Sequence, residues 1–181
     1  MTKKALLILA DGFEEIEAVT PIDLLRRAGI ETVTAGLGKE WVQGRHGVLI
    51  KADTVLNRVI GCFDALVLPG GPGHKALAGS EKVLKLVRDY CRERVFCCAI
   101  CAAPKVFAEA GILEGKRYTC YPGALPDFSG GEFVADEVVR DGHIITSAGP
   151  GTAISFSLGI IEALLGSGKA AEVKAQILFK G

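Results

Sequence analysis

The sequence predicts an α/β fold, a mostly parallel sheet sandwiched between helices. Short apolar runs alternate with helical patterns along the chain, which is the order of a crossover-connected sheet. The runs at 5–10 (ALLILA), 64–68 (DALVL) and 95–100 (VFCCAI) are almost continuously apolar. Strands of that kind are covered on both faces, whereas a half-solvated strand would alternate. The 181 residues show no repeat, low-complexity tract or linker, so 1–181 reads as a single domain.

The elements follow in order. Residues 5–10 form the first strand. Residues 14–28 read as a helix with Glu14 and Glu15 in its first turn. Thr20-Pro21 interrupts that pattern and predicts a kink or a restart, with Thr20 as a cap and Pro21 at the first position. Gly29 ends the helix, and 30–35 is the second strand. Residues 41–50 fit a hairpin. After the strand at 64–68 comes Pro69-Gly70-Gly71-Pro72-Gly73. Residues 81–93 place Val83, Leu84, Val87 and Tyr90 on one helical face. The strand at 95–100 runs into a helix at 102–110, ended by Gly111. Residues 117–120, 133–140 and 143–147 are strand-like, the last two joined by the hairpin signal Asp141-Gly142. Helices over 151–165 and 169–178 close the chain.

Composition excludes several functions. Twenty-one basic residues balance twenty-one acidic ones, so no electrostatic footprint for nucleic acid or an anionic membrane exists. The apolar run after Met1-Thr2-Lys3-Lys4 stops at Asp11, too soon for a signal peptide. No stretch of ~18 apolar residues offers a membrane span. A cytoplasmic protein is expected. Its six cysteines then read as reduced thiols, mostly plain core residues. Cys98-x-x-Cys101 has neither a second cysteine pair nor a nearby histidine pair, so no metal is expected.

Sites in parallel sheets lie at the carboxyl ends of the strands. Three such ends carry chemistry: Asp11 to Glu17, Pro69 to Gly73, and Ala99 to Pro104. In the last, a buried strand passes straight into a helix with Cys101 at the junction and Ala99 and Ala103 two places either side. Small neighbours at that spacing follow the logic of a nucleophile elbow. A helix amino terminus behind the sulfur would favour its anion. Free N–H groups there would hold an oxyanion, and Gly70-Gly71 would let a further N–H approach. A redox dithiol is disfavoured, because Cys98 lies inside the strand rather than at a helix start. A carboxyl partner is available in Asp11, Glu14, Glu15 and Glu17, and the residues alone do not choose among them. Glu14 and Glu15 read as solvated surface charges. His46, His74 and His143 read as surface loop or turn residues.

At these residues the chain resembles the DJ-1/ThiJ/PfpI superfamily, in the branch holding the parkinsonism-linked protein and its bacterial YajL-type relatives. The motifs run nearly end to end: ALLILADGFEEIEAVTPIDLLRRAGI, ALVLPGGPG, AICAAP, ITSAGPGTA and AAEVKAQIL. The resemblance implies a flavodoxin-like sandwich and a homodimer. It implies that Cys101 is the reactive cysteine and that Glu17 is its protonated, hydrogen-bonded partner. It places backbone donors at Gly71 and Ala102, beside Gly70. The departures matter as well. Ala102 stands where the protease-like branch has a histidine, so peptidase chemistry and a full triad are not expected. Tyr121 stands where the parkinsonism-linked protein has a histidine. Tyr121, His46 and Arg27 are the candidates for lining the pocket. The resemblance implies a cofactor-free, cysteine-dependent enzyme of small aldehydes or glycated substrates, of glutathione-independent glyoxalase or deglycase type. The alternative is a redox sensor or stress chaperone that oxidises Cys101.

Overall fold

The computed structural model describes residues 2–181. Strand β1 (Lys4–Leu9) leads into helix α1 (Glu15–Arg27), and β2 (Glu31–Gly36) follows. A small hairpin, β3 (Trp41–Gln43) and β4 (Leu49–Lys51), precedes the short β5 (Thr54–Val55). Then come β6 (Ala65–Leu68), α2 (His74–Ala78), α3 (Glu81–Arg92), β7 (Phe96–Ile100) and α4 (Pro104–Glu109). The chain closes with β8 (Arg117–Tyr118), β9 (Glu132–Phe133), β10 (Val138–Asp141), β11 (Ile144–Ser147), α5 (Ala153–Leu165) and α6 (Ser167–Gln176).

Seven strands form one sheet in the order β10-β11-β7-β6-β1-β2-β5. All neighbours are parallel except β10 against β11, which the Asp141-Gly142 turn joins. The period-2 alternation of a strand explains why the apolar runs are continuous. In β1, Ala5, Leu7 and Leu9 enter the core under α1, α5 and α6, while Leu6 and Ile8 enter the core under α2, α3 and α4. The strand β7 divides in the same way: Cys98 and Ile100 face the first layer, Cys97 and Ala99 the second. Both layers are dry, as the continuous runs predict.

Several expectations need correction. Helix α1 runs unbroken through Pro21, which is buried inside it, and Thr20 caps nothing. The missing N–H of Pro21 removes one intrahelical bond, and the packing of α1 on the sheet and on α5 holds the helix across the gap. The helix after Cys101 starts only at Pro104, and 101–103 form a turn. The strand expected at 133–140 is two pieces, because the chain leaves β8 at Phe133 and joins β11 only from Val138. The short β5 and α2 lack the length to show a period. No helix of the described residues is long and apolar enough to cross a membrane.

Candidate active site

Strands β7, β6 and β1 are adjacent, so the three loops singled out in the sequence share one edge of the sheet. Two backbone bonds tie the first loop to the second. The Glu14 N–H donates to the Gly70 carbonyl at 3.1 Å, and the Gly73 N–H to the Gly12 carbonyl at 3.0 Å. Gly71 turns between them with φ +77°. A Cβ there would lie 2.5 Å from the Gly12 oxygen and 2.6 Å from the Glu14 nitrogen, so the loops close only around glycine.

Cys101 has φ +64°, a left-handed conformation rare for a residue with a side chain. It is the elbow that the small flanking alanines predict. Backbone bonds fix it on both sides. Its N–H donates to the Ser147 carbonyl at 2.9 Å, and its carbonyl accepts from the Tyr121 N–H at 2.9 Å. Strain held in place by neighbours is characteristic of reactive positions. The residue is 9% exposed.

Glu17 projects from the first turns of α1 into the same point and is fully buried. A Cβ on Gly70 would sit 2.7 Å from Glu17 Oε2 and 2.8 Å from Cys101 Cβ, so the two side chains converge over that glycine. Glu17 Oε2 accepts from the Gly70 N–H at 2.8 Å. Oε1 is buried with no hydrogen bond of full geometry, although the carboxyl and the Cys101 side chain are near enough to shift each other's proton affinity. Burial raises the Glu17 pKa from 4.5 to about 7, against the opposing influence of the Cys101 and Gly70 contacts. Burial and the adjacent Glu17 charge push the Cys101 thiol up to about 12, opposed by N–H groups of Gly71 and Ala102 aimed at the side chain. Two acids so coupled give up their protons in two steps that belong to the pair. From about pH 7 to about 12 the pair therefore holds one proton.

The structure brings Cys101, Glu17, Gly71 and Ala102 together. Gly70 belongs to the site, but its N–H serves Glu17 and not the sulfur, which corrects its reading as an oxyanion donor. With α4 starting at Pro104, discrete N–H groups replace the long helix terminus expected behind the sulfur. Tyr121 stands at the rim, half-exposed, its ring against Gly149. His46 is exposed and donates its backbone N–H to Glu15 Oε1 at 2.7 Å, with Nδ1 2.9 Å from Oε2. Arg27 is not brought to the site within this chain. It lies in the last turn of α1, paired with Asp23 at 2.8 Å.

Glu14 and Glu15 are not the solvated charges that their helix position suggests. The β3–β4 hairpin lies over the start of α1, linked by a bridge between Phe13 and Gly44, and covers them. Glu14 is buried with Arg45 Nη1 3.3 Å from its Oε2. Glu14, Glu15 and His46 are the one group of the described residues with three ligand atoms close enough for a metal ion. Their atoms are already engaged with Arg45 and with one another. His74 was also missed: its Nδ1 lies 2.8 Å from the Gly71 carbonyl and braces the turn beneath the sulfur. The contacts of Glu14 and Glu15 with Arg45 and His46 span 31 residues and leave no local sequence signal.

An α/β sheet ending in a strained cysteine elbow, with a buried carboxyl beside it, defines a class of proteins organised around one strand-end thiol. The chain belongs to the DJ-1/PfpI family, whose model matches residues 3–163. It is 41% identical over 185 residues to the Parkinson disease protein 7 homolog of Danio rerio, with 98% of each chain covered. It is 34% identical over 151 residues to a Pyrococcus abyssi protein named as a deglycase, covering 82% of this chain and 91% of that one. The crystal structure of Drosophila melanogaster DJ-1beta superposes with a TM-score of 0.96 at 44% identity, over 100% of both chains.

Proposed function

We propose that the chain is a cysteine-dependent enzyme of small aldehydes, of glutathione-independent glyoxalase or protein deglycase type. The observation that carries this reading is the convergence of the Cys101 and Glu17 side chains over Gly70, with the N–H groups of Gly71 and Ala102 beside the sulfur. With the proton on Glu17 Oε1, the sulfur is a thiolate held by the N–H groups of Gly71 and Ala102. The otherwise unserved Oε1 then becomes a donor. That arrangement supplies a nucleophile, charge stabilisation and a proton carrier within one small pocket. The low exposure of Cys101 favours a small substrate over a bulky one. The relative named as a deglycase supports the same chemistry.

The thiolate attacks the aldehyde carbon of methylglyoxal, and the new oxyanion takes a proton, giving a hemithioacetal. Glu17 moves a proton from that carbon to its neighbour, which leaves a thioester on Cys101. Water cleaves the thioester, releases lactate and restores the thiol pair. Atoms balance as methylglyoxal plus water. No cofactor enters this sequence. The protein would act in carbonyl and oxidative stress protection in the cytoplasm. A homodimer is supported by the exposed apolar residues Ile16 and Val19 on α1 and Val48 and Leu49 on the adjoining hairpin.

The test is lactate formation from methylglyoxal by purified protein. Wild type is expected to turn over and Cys101→Ser to form lactate no faster than buffer. Equal rates in the two proteins would remove Cys101 from the chemistry. A wild type that forms no lactate but gains two oxygens on Cys101 with mild peroxide would replace the enzyme reading with the sensor reading.

A further inference from the structure

We propose that Cys91 and His143 form a second reactive thiol site, which takes up a small anionic disulfide by thiol–disulfide exchange. The two residues are 52 positions apart in sequence and meet with Cys91 Sγ 3.4 Å from His143 Nε2. Cys91 lies in the last turn of α3, and His143 directly precedes β11. The His143 carbonyl accepts from the Cys97 N–H at 2.8 Å, which holds the imidazole against the start of β7. Both side chains are half-buried, so a reagent reaches them. The pair sits at the amino end of β7, whereas Cys101 follows its carboxyl end. The intervening strand separates the two sulfurs by on the order of 15 Å.

The surroundings decide what the pair does. Burial raises the Cys91 thiol, with Lys116 opposing. Burial, Lys116 and Arg94 lower His143, opposed by a hydrogen bond to the Cys91 backbone and by Asp141. The resting state is therefore a thiol against a neutral imidazole, and the tautomer with its proton on Nδ1 leaves Nε2 to accept the thiol proton. Lys116 is itself bound to Asp141 Oδ1 at 3.3 Å, and Arg94 is exposed. Lys116 beside both residues and Arg94 beside the imidazole favour a reagent that carries carboxylates. The other cysteines outside the active site differ. Cys97 and Cys98 are buried in the sheet, Cys120 is buried after β8, and Cys62 is exposed. Among the described residues, Cys91 is the cysteine hydrogen-bonded to an imidazole.

The exchange balances. The Cys91 proton passes to His143 Nε2, the sulfur bonds to one sulfur of the disulfide, and the disulfide bond breaks. The departing thiolate takes the proton from His143 and leaves as a thiol. Cys91 is oxidised to the disulfide level, and the reagent's second sulfur is reduced. The adduct leaves Cys101 free.

The experiment uses the full chain with glutathione disulfide and reads adducts by peptide mass mapping over time. Cys91 is expected to be modified roughly tenfold or more faster than Cys62, despite its lower exposure. His143→Gln is expected to slow Cys91 by a similar factor, with the rate at Cys62 and the melting temperature unchanged. Cys91→Ser removes the adduct. Cystamine, a cationic disulfide, reacts more slowly at Cys91 than glutathione disulfide. The proposal is overturned if Cys62 reacts first, if His143→Gln leaves the Cys91 rate unchanged, or if cystamine reacts as fast.

Discussion

Glu17→Gln is expected to be nearly inactive and, at pH 8, more stable than wild type. The two effects share one cause. The Cys101–Glu17 pair gives up its first proton at about 7 in the folded chain, whereas a free glutamate ionises at 4.5, so the folded chain keeps that proton across the window. Below pH 4.5 both states carry the proton, and the group's contribution is at its most favourable. As pH rises from 4.5 to about 7 the unfolded chain ionises first, so stability falls by roughly 3 kcal/mol. Glutamine has no such loss. Its carbonyl oxygen accepts from Gly70 and its amide N–H2 points to Cys101, as the protonated acid does. At pH 8 the variant should melt roughly 6–12 °C above wild type, and the two curves should converge near pH 4. Turnover of methylglyoxal should fall by roughly 10²–10⁴, because an amide cannot carry a proton between carbons. Calorimetry across pH together with the lactate assay checks both halves. A variant as active as wild type, or one whose stability tracks wild type across pH, would contradict the assigned role.

Gly71→Ala is expected to damage the fold and the site together. The backbone there has φ +77°, and an added Cβ would press on three backbone atoms of the Gly12–Glu14 loop at 2.5–2.9 Å. Backbone atoms cannot rotate away as a side-chain tip does. Left-handed strain and the forced shift together cost roughly 3 kcal/mol. For a chain of this length the melting temperature should drop by roughly 10 °C. The shift also moves the Gly71 N–H from the Cys101 sulfur, so activity should fall even at temperatures where the variant is folded. Gly111→Ala is a useful control, since its φ is likewise +77° but a Cβ there would touch nothing within 4 Å. If the two variants melt alike, crowding at Gly71 is not what holds the loops.

The meeting of three strand ends was legible because it depends only on strand order, and the continuous apolar runs mark the strands. The elbow was legible for a similar reason: alanines at 99 and 103 leave room for a tight turn at Cys101. Glu17 was not legible from the residues. An acid one turn into an amphipathic helix is ordinarily solvated, and only the family resemblance singled it out. Its neighbours Glu14 and Glu15 show why local reading fails, since the hairpin that covers them lies about thirty residues further on. Gly70 was assigned to the right place with the wrong task, because composition does not give the direction of an N–H. Pro21 predicts a break that tertiary packing overrides.

The proposed chemistry requires the pair's single proton to reside on Glu17, leaving Cys101 as the thiolate. Alkylation of Cys101 by iodoacetamide, followed peptide by peptide from pH 4 to pH 11, tests it directly. The rate is expected to rise through an inflection at or below about 7 and then level off. A rate that stays negligible through neutral pH and climbs only as pH nears about 12 would place the proton on sulfur and contradict it.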